Sequence, residues 1–225
     1  MTHMRLIAAI VPPRHVLEEL DSVVRSAGGD ADTRVKSADG RHASDRRSLL
    51  DRIGTLGSSR ASSADLANDQ LDTVDVTLMH IPVTYFGNLT LGDSINLADT
   101  LRGEVATWSR PELRFSGGAA LEWTGDESVW AKLDGDVEKL VTIGRGIPRV
   151  VQKLQLYVDR RQFRPWLSVG TITDRTTAPY LEDLVARLDR FSGRSWTQES
   201  VTLLKHIPQN TDHPYEVVEE LPLGD

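Results

Sequence analysis

The chain has 225 residues, 39% apolar and 26% charged, with no cysteine and a formal net charge of −7. Lack of cysteine excludes disulfides, thiolate catalysis and thiolate zinc sites, and the acidic balance argues against non-specific coating of nucleic acid, whose affinity comes from Lys and Arg neutralising phosphates. The longest clean apolar run, Leu6 to Val11, is too short to span a bilayer and no signal-peptide pattern precedes it, so a cytoplasmic protein without a membrane partner is expected.

In chain order, Arg5 to Val11 reads as a buried strand stopped by Pro12-Pro13. Val16, Leu17, Leu20, Val23 and Val24 then fall at helical spacing, which predicts an amphipathic helix over 14–26 ended by Gly28-Gly29. From Gly28 to Thr73 the composition turns to Ser, Ala, Asp, Arg and Gly, the signature of a polar insertion (28–73) within a single 1–225 domain. A short helix over 44–53 is expected on it, and its arginines are mostly matched by aspartates.

Met79 to Gly87 is a short apolar run with alternation, so it reads as a strand on which His80 and Pro82 share a face, with Thr84 on that face if the alternation holds. Gly92-Asp93-Ser94 supplies N-cap candidates for a helix presenting Ile95, Leu97, Ala98, Leu101 and Val105. Leu113 to Gly118 reads as strand and turn, Ser128 to Leu133 as a strand, and 136–157 as a helix broken near Gly144, Gly146 and Pro148. Phe163 to Gly170 is a second strand of the first kind, with Trp166 and Ser168 on one face. A helix starting near Pro179 and a hairpin from Ser200–His206 to Tyr215–Val218 complete the chain.

These elements repeat. His80 to Trp166, Asp93 to Pro179 and Leu113 to Glu199 are each separated by about 86 residues, whereas the first strands of the two units are about 123 apart. The excess matches the polar tract, which therefore reads as an insertion into the first of two copies. The fold class is α+β: a bilobal, duplicated body with two antiparallel or mixed sheets facing a central groove and helices packed outside, the site lying in the groove.

Met4 to Ile10 with Pro12-Pro13, His80 to Gly87, Leu113-Arg114-Phe115-Ser116-Gly117, Phe163-Arg164-Pro165 and the closing Tyr215 to Leu223 together resemble the 2H phosphoesterase superfamily. The resemblance is to the bacterial RNA 2′,3′-cyclic phosphodiesterases, also called 2′-5′ RNA ligases. It implies two His-x-Thr motifs, one per lobe, acting as an in-line acid and base without metal or cofactor, with the Thr hydroxyls holding a phosphate oxygen.

The sequence departs from that pattern at the positions that carry the chemistry. His80 matches the first histidine, but Pro82 stands at the first threonine, Trp166 at the second histidine and Ser168 at its threonine. Indole is a donor only and cannot shuttle a proton at neutral pH. His80 and Ser168 are the candidate catalytic residues, and Trp166, Arg164 and Thr84 the candidate ligand-binding ones. No metal site is expected: His206 and His213 lack a nearby carboxylate cluster of recognisable spacing. Three readings stand. One is a degenerate member binding a nucleotide or an RNA end with a terminal or cyclic phosphate, with weak or lost turnover. The others are an active metal-independent cyclic phosphodiesterase using His80, and a non-catalytic scaffold for a protein partner.

Overall fold

The first predicted strand forms as β1 (Met4–Ile10), covered on both faces. Leu6, Ala8 and Ile10 enter the main core, while Ile7 and Ala9 join Leu204 in a second, smaller cluster. An unbroken apolar run suits a strand with no solvent face. The computed structural model describes residues 4–28, 70–157, 159, 162–210 and 213–225. The helix expected over 44–53, and most of the 28–73 insertion, lie outside those residues. The end of the tract is described, and there Leu71–Thr73 forms a strand, β2.

The other strands are β3 (Ile81–Leu89), β4 (Glu112–Ala120), β5 (Ser128–Gly135), β6 (Trp166–Ile172), β7 (Trp196–Thr197), β8 (Ser200–His206) and β9 (Tyr215–Pro222). The helices are α1 (Arg14–Arg25), α2 (Leu91–Val105), α3 (Val137–Lys153) and α4 (Ala178–Arg190), with a short 3-10 turn at Val76–Leu78. None of these helices is long and apolar enough to cross a membrane.

Two antiparallel sheets result, in the orders β3-β1-β8-β9 and β2-β6-β5-β4-β7. The duplication is visible in those orders. The first copy supplies β1, β3 and β4, the second supplies β5, β6 and β8, and each copy places its third strand in the other's sheet. The cores of the sheets, β3-β1-β8 and β6-β5-β4, correspond strand for strand. The helices follow the same relation, α1 lying beside α4 and α2 beside α3.

Three local expectations need correction. Helix α2 starts earlier than its Gly-Asp-Ser signal, because Thr90 is the N-cap and forms a capping box with Asp93. Ile95 is 56% exposed and is not part of its buried face, which is Leu97, Ala98, Leu101 and Val105 with Ser94. Helix α3 runs unbroken through Pro148. Its glycines are seats for aromatic rings: a Cβ at Gly144 would stand 2.2 Å from Cδ1 of Phe163, and one at Gly146 2.4 Å from Cζ2 of Trp108. Packing therefore overrides the local breaker signal.

Candidate functional site

His80 immediately precedes β3. Its Nδ1 lies 2.8 Å from the Leu78 carbonyl, so Nδ1 donates and Nε2 is the nitrogen left to accept a proton. The ring stands edge-on to Tyr215, with centroids 4.6 Å apart, and Tyr215 in turn meets His206 at 5.5 Å. Burial holds the imidazole below its ordinary value, opposed by the Leu78 carbonyl, whose hydrogen bond favours the protonated ring. Burial likewise pushes the Tyr215 phenol up.

Along β3 the simple alternation fails. Pro82 pairs with Ala9 and Tyr85 with Ile7, which puts both on the face of the smaller cluster, whereas Thr84 pairs with Ala8 and shares the main-core face. An irregularity at Val83 causes the shift, since two residues there oppose one step on β1. Thr84 is consequently only 3% exposed, and its Oγ1 has no hydrogen-bond partner among the described residues. Pro82 is accommodated because β3 is the edge strand of its sheet, where a missing amide donor breaks no ladder.

On the opposite lobe, β5 and β6 pair Lys132 with Trp166 and Trp130 with Ser168, so these four side chains share a face. Trp166 and Trp130 lie 6.4 Å apart, and Trp130 lies 5.7 Å from Trp123 on the preceding turn. Trp130 is oriented by Asp126, only 6% exposed, whose two carboxylate oxygens accept from its Nε1 at 3.2 and 3.1 Å. The same carboxylate accepts from the backbone amides of Glu122 and Ser128. The indoles thus form a wall fixed to a well-satisfied turn.

Two cations sit on that wall. The Arg164 guanidinium carbon is 4.1 Å from the centre of the Trp123 ring and 5.5 Å from that of Trp166, and Lys132 Nζ is 5.3 Å from that of Trp166. Such contacts hold a cation by its faces and contribute about 0.5–1 kcal/mol each at exposed sites. Among the described residues no carboxylate pairs with Arg164 or Lys132, whereas Arg14, Arg25, Arg102, Arg110, Arg114 and Arg187 each have one. Among the described residues no carboxylate therefore engages the guanidinium N–H edge, the arrangement that recognises an oxyanion.

The indole wall and Arg164 line a cavity of about 540 Å³ between the lobes, closed on the other side by Pro82 to Tyr85 of β3. Of the five residues singled out from the sequence, Trp166, Arg164 and Thr84 line it. His80 and Ser168 do not. Among the described residues the cavity therefore presents aromatic faces, the Arg164 guanidinium and the Asp159 carboxylate, but no acid–base pair of histidines. Trp123, Trp130, Lys132 and Asp126 went unrecognised in the sequence. The available signal was three tryptophans between 123 and 166, two of them alternating with cations on strands that the duplication makes neighbours. Among the described residues no group of three or more His, Asp or Glu is placed to hold a metal ion.

No protein-family profile and no curated sequence matches this chain. Solved structures do. Escherichia coli LigT complexed with 3′-AMP matches with a TM-score of 0.62 at 12% identity, covering 100% of both chains. The Thermus thermophilus protein TT0787 matches at 0.58 and 16% identity, covering 99% of this chain and 100% of its own, and a phosphoesterase matches at 0.57 and 11% over 100% of both. LigT structures also carry ATP, phosphate or NADP+. At these identities the likeness is one of fold, and it spans both lobes.

Proposed function

From that shared fold we propose that this chain binds a nucleotide or the phosphate-bearing end of an RNA in the cavity between its lobes, with weak or lost cyclic-phosphodiester turnover. The observation that carries the reading is a tryptophan wall in the place where the resemblance would put a second histidine, with Arg164 and Lys132 against it, neither paired with a carboxylate among the described residues and Arg164 lining the cavity. Flat aromatic faces suit a base and guanidinium donors suit a phosphate. The described residues lining the cavity offer no imidazole to exchange protons across a phosphate, and one missing general acid or base typically costs about 10²–10⁴-fold in rate.

Quenching of tryptophan fluorescence by 3′-AMP and by a 2′,3′-cyclic nucleotide tests binding, and product release from the cyclic nucleotide tests turnover. Saturable quenching is expected, weakened about tenfold in Arg164→Gln, since a lost charge-assisted hydrogen bond is worth about 1.5 kcal/mol or more. Product above a His80→Ala control would instead establish an active phosphodiesterase. No effect of either nucleotide on fluorescence or thermal stability would leave the scaffold reading.

A further inference from the structure

Arg164 belongs to two cavities. Beyond the inter-lobe cavity, a second cleft of about 770 Å³ opens over the outer face of α3. The two share Asp159, Gln162, Phe163, Arg164 and Trp166, so one runs into the other past the Arg164 guanidinium and the Asp159 carboxylate. Arg145 and Arg149 line the second cleft from α3, one helical turn apart and about 6 Å along the axis. Both are exposed, and neither has a carboxylate partner among the described residues. Glu122 and Asp159 also line the cleft, leaving three arginines against two carboxylates in a chain whose formal charge is −7. A local excess of positive charge that leads away from an aromatic wall is how a protein without broad basic surface tracks a single strand.

We propose that the α3 cleft is a second anion subsite, which takes the next phosphates of a single-stranded oligonucleotide whose end lies in the inter-lobe cavity. Arg164 is the post common to both, and Arg145 and Arg149 carry the strand onward. The inference rests on the nucleotide reading of the inter-lobe cavity. It adds that the preferred ligand is a strand rather than a mononucleotide.

The test compares 3′-AMP with a 3′-phosphorylated tetranucleotide over a series of salt concentrations, using the full chain and its Arg145→Gln/Arg149→Gln variant. Both positions are exposed, and an unchanged thermal midpoint verifies that the variant is folded. The tetranucleotide is expected to bind at least tenfold more tightly than 3′-AMP. In the double variant that advantage disappears, 3′-AMP affinity stays within twofold, and the slope of log affinity against log salt becomes shallower by about 1.4, from about 0.7 per released phosphate contact on a single strand. Binding of 3′-AMP with no tetranucleotide advantage, or an advantage that survives the double substitution, overturns the second subsite alone. Binding of neither probe overturns the nucleotide reading itself. An acidic peptide of equal charge binding as tightly as the tetranucleotide overturns the assignment to nucleic acid.

Discussion

Asp126 offers the sharpest test of how the tryptophan wall is held. Its carboxylate accepts from Trp130 Nε1 and from the amides of Glu122 and Ser128, and it is 6% exposed. Asp126→Ala strands three donors. Two belong to amides of residues near the surface that water can reach, so each counts at the low end of the range, about 1 kcal/mol, and the indole N–H counts similarly. The sum is a loss of about 2–3 kcal/mol. Asp126→Asn keeps a carbonyl oxygen that can still accept, and should lose about 1 kcal/mol. Urea unfolding gives the free energies, and the near-ultraviolet circular dichroism of the indoles reports whether Trp130 keeps its orientation. Should Asp126→Ala stay within about 0.5 kcal/mol of the natural chain with an unchanged indole spectrum, the carboxylate does not position the wall.

Three further outcomes are expected. Trp166→His together with Pro82→Thr restores the residues of the implied acid–base pattern, but His80 does not line the cavity, so cyclic-phosphate hydrolysis should rise by less than about tenfold; a gain of about two orders of magnitude would show that His80 reaches the phosphate. The folded-state value of His80 lies below its unfolded value of about 6.5, so the unfolded chain takes up the proton first. Stability should accordingly be full above about pH 6.5 and decline as pH falls below it, and His80→Asn should flatten that decline in denaturation midpoints measured between pH 5 and 7.5. Gly144→Ala would gain up to about 1 kcal/mol in an exposed helix, but a Cβ 2.2 Å from the Phe163 ring should reverse the sign to a net loss of about 1–2 kcal/mol, read by thermal unfolding.

Much of the architecture was legible because it is periodic. Strands β1, β5, β6 and β8 and helices α1 and α4 follow from alternation and helical spacing, and the offset of about 86 residues exposed the two copies. Periodicity gives the face of a strand and not its neighbour, so the exchange of β4 and β8 between the sheets was invisible. The shift at Val83 was equally hidden: a bulge is decided by pairing to β1, and one extra residue suffices to turn Thr84 from the expected face to the core. Gly144, Gly146 and Pro148 misled for a different reason. Glycine lowers helix propensity, but here it leaves room for Phe163 and Trp108, a long-range demand that local rules do not contain. At the site, Trp166 and Arg164 stood out as departures from a known pattern, while Trp123 and Trp130 join them only through the turn that Asp126 closes.

The traded third strands bear on how the molecule assembles. Cutting the chain between β4 and β5 would separate paired strands: β4 would lose both its partners, β5 and β7, while β8 would lose β1 and keep β9. Neither fragment could close its own sheet, so the two halves must knit together in one concerted event, and unfolding should follow a single transition by every probe. The gap between the halves is then set by the weave itself, and a ligand meets a slot whose width was fixed when the chain folded.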